Sequence, residues 1–252
     1  MIQRIKFNEP SPFELFLPPR RGPLPLICLT PILGRLQWME DLFFEKRFAR
    51  FFASQGFACA LIDRPLFEFV PHRGLEQIQD YLEESVARNK KVLDLLLAKK
   101  EIDPQRVGSF GISFGAIVNS LWAGADSRLK AHVFALAGGN LPAILVSSRD
   151  PLMRSYIQSI LKGTGILKEN LKDHLVKAIT IDPLRAARSI SKESVFLLLG
   201  IFDRVIRFRY GWAFREALGK PKTRFLPLGH YGSLLAVPMI QGEVLEFFKK
   251  KL

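Results

Sequence analysis

"RVGSFGISFGAIVNSLWAG", residues 106–124, runs from an apolar segment through a serine set between two glycines into a second apolar segment. Val107–Phe110 has the composition of a short buried strand, and residues 115–124 place Ile117, Leu121 and Trp122 on one face of a helix. Gly111-Ile112-Ser113-Phe114-Gly115 joins the two and matches G-x-S-x-G at a strand-to-helix handover. Such a turn forces its central residue into an unfavourable backbone conformation, so the flanking residues must be too small to collide with it. A pentapeptide of this kind recurs by accident; its position between strand and helix is what gives it meaning.

Outward from this turn, apolar runs alternate with helical patterns. "LPLICLTPIL" (24–33) reads as a buried strand, "FFEKRFARFFASQG" (43–56) as an amphipathic helix closed by Gly56, and "FACALID" (57–63) as the next strand. Phe44, Phe48, Phe51 and Phe52 share one stripe of that helix. A long helix is expected from about Leu75 to Lys100, and further strands at 131–139, 195–203 and 223–229. The closing segment 242–252 reads as a helix, and "RIKF" with "PFELFLP" as a short antiparallel start. This alternation predicts an α/β fold, a mostly parallel central sheet flanked by helices, as a single domain over 1–252. Residues 140–191 break the pattern: only helical spacings occur there, such as Leu152, Tyr156, Ile160 and Leu171, Leu175, Ile179. An excursion of this size after a strand's carboxyl end is expected to be a helical lid.

The composition suits a well-filled core, with 48% hydrophobic residues and 21 phenylalanines in a chain of 252. Two stretches without charged residues, 107–125 and 131–148, are broken by glycines and, in the second, by Asn140 and Pro142, which fits strands and turns better than bilayer spans. "MIQRIKFNEPSP" lacks the apolar core of a secretion signal, so a cytoplasmic protein is expected. Cys28 and Cys59 lie in strand-like runs and are expected to be buried, reduced thiols; no second Cys or His stands at metal-ligand spacing. The net charge of +13 is dispersed and accompanied by no nucleic-acid motif, which predicts a solvated basic surface with a weak attraction to anionic surfaces and no specific nucleic-acid partner.

A serine hydroxyl needs a base to take its proton, and the base needs a carboxylate to hold it. Of His72, His132, His174 and His230, only His230 follows the last strand, at the start of what reads as a loop on the sheet's carboxyl edge. Among the acids between Ser113 and His230, only Asp203 ends a strongly apolar strand run; Asp182-Pro183 reads as a helix start. The order is therefore Ser113, Asp203, His230.

"GISFG", "LLLGIFDRVI" and "LPLGHYG", in this order and spacing, resemble the α/β-hydrolase superfamily. The resemblance implies that fold, with Ser113 as nucleophile, His230 as general base and Asp203 as the orienting acid. It also implies an oxyanion hole of two backbone N–H groups. One belongs to Phe114. The other comes from the turn after the strand at 24–30, where this chain departs from the family's frequent His-Gly and carries Thr30-Pro31. Proline has no N–H, which leaves Ile32, with Leu33 as the alternative.

The expected function is that of a serine hydrolase acting on a carboxylic ester or thioester, needing no metal or organic cofactor. Apolar residues of the excursion (Leu152, Met153, Ile157, Ile160, Leu161) point to a hydrophobic small-molecule acyl substrate. Amide hydrolysis stays open on the same fold, and a non-catalytic scaffold serving as a binding module is the alternative from another class.

Overall fold

The computed structural model describes residues 2–8, 11–20, 22–32, 44–63 and 71–252. The chain opens with an antiparallel pair, β1 (Gln3–Phe7) and β2 (Phe13–Leu17), as the alternating sequence predicts. There follow β3 (Leu24–Thr30), α1 (Phe44–Ser54), β4 (Ala58–Ile62), α2 (Gln77–Leu97), β5 (Ile102–Ile112), α3 (Phe114–Ala125) and β6 (Ala131–Ala135). The segment predicted to be strand-free holds α4 (Leu141–Ser147), α5 (Pro151–Thr164), α6 (Leu171–Ala178) and α7 (Pro183–Ala186). β7 (Val195–Gly200), α8 (Phe208–Ala217), β8 (Lys222–Leu226), α9 (His230–Ala236) and α10 (Gln241–Lys251) complete it. Leu33 and the side chain of Phe44 lie outside the described residues.

One eight-stranded sheet has the order β1-β2-β4-β3-β5-β6-β7-β8, with β3 to β8 mutually parallel and only β1 and β2 running against their neighbours. Both faces are covered, which is why the central strands are continuous apolar runs rather than alternating ones. Leu26, Cys28, Val107, Phe134, Leu197 and Leu199 face one layer with Leu93 and Leu96 of α2, Trp122 of α3 and Phe214 of α8. Ile27, Leu29, Cys59, Phe110, Val133 and Leu198 face the other, against Phe48 and Phe52 of α1 and Phe248 of α10. Phe110 meets Phe48 edge-on, with ring centroids 5.1 Å apart. Cys28 and Cys59 fall on opposite faces and are free and buried; burial pushes both thiols well above their ordinary range.

The topology locates a site. From β3 the chain moves outward to β4, then returns to place β5 on the other side of β3. Loops leaving the carboxyl ends of β3 and β5 therefore part in opposite directions and open a crevice between them. Helices α4 to α6 pack beyond those carboxyl ends: Leu141, Ile144, Tyr156, Ile160, Leu171 and Leu175 form one cluster with Ile78 and Leu82 of α2, Ile117 and Val118 of α3, and Val205, Ile206 and Tyr210 after β7. The helix α5 starts on Asp150, whose carboxylate accepts from Met153 N–H, and stops at Gly165 in the left-handed conformation. Among the described residues no helix is long and apolar enough to cross a membrane.

Candidate active site

Ser113 stands on the turn between β5 and α3 with φ 55° and ψ −121°, a conformation open mainly to glycine. It is held there from both sides. Its N–H donates to Ala135 C=O at 2.7 Å, and its C=O accepts from Ala116 N–H and Ile117 N–H at 3.0 and 3.1 Å. The two glycines of the motif are required by contact. A Cβ at position 111 would run into the Gly115 carbonyl, and one at 115 into the carbonyl oxygens of Thr30 and Pro31. Close approach of β3's end to α3 thus depends on Gly115.

The Ser113 hydroxyl is 2.9 Å from His230 Nε2, and His230 Nδ1 is 2.6 Å from Asp203 Oδ2. Since the carboxylate can only accept, the imidazole carries its proton on Nδ1 and presents Nε2 as acceptor to the hydroxyl. Asp203 is buried and its second oxygen accepts from Val205 N–H and Ile206 N–H at 2.8 and 2.9 Å. Both oxygens of this carboxylate are thereby engaged, and the ring is fixed in orientation and tautomer. The structure brings together the three residues singled out in the sequence, with one difference. His230 is not in a loop: it is the first residue of α9, following Gly229.

The other histidines stand apart. His132 is buried on β6 beside Ser109, with Oγ 3.1 Å from Nδ1, and burial lowers its pKa to about 4. His174 is exposed on α6, and the side chain of His72 is outside the described residues. Asp182 caps α7, accepting from Leu184 N–H at 2.8 Å and from Asn140 and Leu141 N–H groups, as a helix start should.

The two amides expected to face a developing oxyanion differ. Phe114 N–H, at the first turn of α3, has no acceptor among the described residues. Ile32 N–H is engaged: it donates to Glu45 Oε1 of α1 at 2.9 Å. The sequence does not single out Glu45, because a glutamate in a helix's first turn is ordinary. Asn119 is a second such residue. It is fully buried in α3, and with its oxygen toward the donors it accepts from Phe110 and Gly111 N–H groups at 3.1 and 3.0 Å while its nitrogen donates to Thr30 Oγ1 at 3.0 Å. A lone amide in the apolar run "GAIVNSLWAG" is its mark in the sequence. Among the described residues no group of His, Cys, Asp and Glu could hold a metal ion.

The residues expected to meet an acyl chain divide. Met153 and Ile160 are buried in the helical cluster, Ile157 and Leu161 pack at its edge, and Leu152 is exposed.

No protein-family model and no curated protein matches the chain by sequence. Solved structures do match by shape. An acetyl xylan esterase from Paenibacillus sp. R4 has a TM-score of 0.69 at 16% identity, covering 100% of this chain and 88% of that one. The α/β-hydrolase GrgF from Penicillium sp. sh18 has a TM-score of 0.65 at 16% identity, covering 100% and 99%. A 2,6-dihydroxy-pseudo-oxynicotine hydrolase has a TM-score of 0.66 at 17% identity, covering 100% and 68%. At these identities the likeness speaks for architecture alone.

Proposed function

We propose that this chain, which has the α/β-hydrolase fold, is a serine hydrolase that cleaves a carboxylic ester or thioester through an acyl-enzyme intermediate. The observation that carries the reading is the relay Ser113–His230–Asp203, at 2.9 and 2.6 Å, on a strained turn at the sheet's switch point. Ser113 Oγ attacks the carbonyl carbon as its proton passes to His230 Nε2. Asp203 keeps the imidazole oriented and stabilises the cation that forms. Phe114 N–H donates to the tetrahedral oxyanion, and Ile32 N–H joins it once Glu45 yields that bond. His230 returns the proton to the leaving alcohol or thiol, then activates the water that releases the acid and restores Ser113.

An esterase and hydrolases among the similar folds support this class. The helices of 140–191, packed beyond the strands' carboxyl ends, act in this reading as a lid over a hydrophobic acyl substrate. The occupied Ile32 amide favours a second reading, a scaffold that binds without catalysis. A fluorophosphonate probe separates them. Prompt labelling of the wild type that vanishes in Ser113→Ala is the expected result; a well-folded wild type that resists the probe would exclude the enzyme.

A further inference from the structure

The Asp203–His230 pair is buried, yet several residues next to it in the chain are exposed. Phe202, next to Asp203, is 64% exposed, and Tyr231, next to His230, is 55% exposed. Ile201 and Leu228 are exposed as well. Hydrogen bonds bring the segments that carry them together into one rim. Phe202 N–H donates to Leu228 C=O at 3.1 Å, Arg149 N–H donates to Arg204 C=O at 3.2 Å, and the Tyr231 hydroxyl donates to Asp150 Oδ2 at 3.2 Å. The segments that carry Leu228, Phe202, Arg204, Arg149 and Tyr231 thus adjoin one another beside the Asp203–His230 pair.

The charges on this rim are unbalanced. Arg149 and Arg204 are exposed, and among the described residues neither has a carboxylate within ion-pair distance. The nearby Asp150 carboxylate is engaged, capping α5 through Met153 N–H and accepting from Tyr231. An exposed aromatic and aliphatic patch edged by unpaired arginines, on a chain of net charge +13, matches a surface that is apolar within and negative at its boundary. A small acid satisfies the arginines but leaves Phe202 and Leu228 in water.

We propose that this rim docks on an anionic lipid surface, and, resting on the serine-hydrolase reading above, that the acyl substrate is drawn from that surface. Phe202, Leu228 and Tyr231 enter the headgroup layer, Arg149 and Arg204 pair with its phosphates, and the Ser113 mouth faces the lipid.

Docking is measured first on Ser113→Ala, so that turnover plays no part. Flotation with vesicles of phosphatidylcholine containing phosphatidylglycerol, at about 0.1 M salt, is expected to carry the protein, and pure phosphatidylcholine is not. The pair Arg149→Glu/Arg204→Glu, and separately Phe202→Ser/Leu228→Ser, each lower the partition at least about tenfold. The control is Lys250→Glu/Lys251→Glu, an equal change of charge in the lysine-lined groove by the first residues of β7 and β8, at the sheet's opposite end; it leaves binding within about twofold. Failure to bind the anionic vesicles, or equal losses in control and rim variants, overturns the proposal. With the serine restored, the rim variants keep turnover of soluble p-nitrophenyl acetate and lose about tenfold on p-nitrophenyl decanoate carried in the vesicles; equal loss on both overturns the delivery step. Absence of acetate turnover in the wild type removes the hydrolase reading alone, because vesicle binding is scored without it.

Discussion

A serine held at φ 55° costs about 1–3 kcal/mol that the surrounding contacts must offset, and at this site single atoms decide whether they can. Gly115→Ala sets a methyl group against the backbone carbonyls of Thr30 and Pro31, which cannot swing aside as a side chain can. The expected result is a loss of about 2 kcal/mol or more in urea unfolding, with lowered turnover, because β3's end is pushed from the Ser113 turn. Asp203→Asn tests the proton's address instead. An asparagine oxygen can still accept from Val205 and Ile206, so the fold should hold, but an amide beside Nδ1 releases the tautomer that keeps Nε2 an acceptor. Ester turnover should fall about 10⁴-fold with the unfolding midpoint nearly unchanged; a fall below tenfold would remove Asp203 from the role proposed for it. Glu45→Ala frees Ile32 N–H, and kcat on a soluble ester is expected to rise several-fold as a competing charged acceptor disappears. An unchanged or lower kcat would show that this amide is not the second donor.

At the scale of elements, α3 is braced by more than its apolar face. Asn119 ties the end of β5 to Thr30 at the end of β3, the two strands whose carboxyl ends open the crevice. Asn119→Leu keeps the volume and strands buried donors, so a loss of about 2–4 kcal/mol is expected, together with a rise in the mobility of the Ser113 turn measurable by amide exchange at Gly111 and Phe110. A loss under about 0.5 kcal/mol would mean that the amide bonds are unimportant. The same contrast explains what is legible in the sequence. The handover from β5 to α3 could be read from the sequence because its cause is local: two glycines, a serine and an apolar run on either side. Asp203 and His230 could be found because strand ends are marked by hydropathy. By sequence His230 reads as the start of a loop, since Gly229 and Gly232 mask the start of α9. Glu45 at Ile32 and Asn119 at Thr30 depend on β3, α1 and α3 meeting in space, which no local spacing records. The helical nature of 140–191 was visible, but which of its apolar residues turn inward was settled by packing: Met153 and Ile160 serve the helical cluster, and Leu152 does not.

For the molecule as a whole, acid sensitivity should be dominated at mildly low pH by a residue that takes no part in the relay. His132 lies inside the sheet on β6, with Ser109 as its hydrogen-bonding neighbour, and burial holds its pKa at about 4 against about 6.5 in an unfolded chain. The folded-state value is the lower one, so between these two pH values the unfolded chain binds the extra proton. Stability is then complete above about pH 6.5, declines as pH falls, and has lost this contribution by about pH 4, at about 1.4 kcal/mol per pH unit, roughly 3 kcal/mol in all. Carboxylates held low by arginine, Asp103 beside Arg106 and Glu14 beside Arg4, add their own losses in the same direction but at lower pH, as each falls through its depressed value. A variant isolates the histidine. His132→Gln keeps a partner for Ser109 and cannot be protonated, so it starts less stable at pH 7 yet loses about 2–3 kcal/mol less than the wild type on going to pH 4.5. Urea midpoints for both proteins at pH 7, 6, 5 and 4.5 give the comparison. Curves that fall in parallel would mean that His132 takes up its proton inside the folded sheet, and that the layer formed by β5 and β6 opens to water without unfolding.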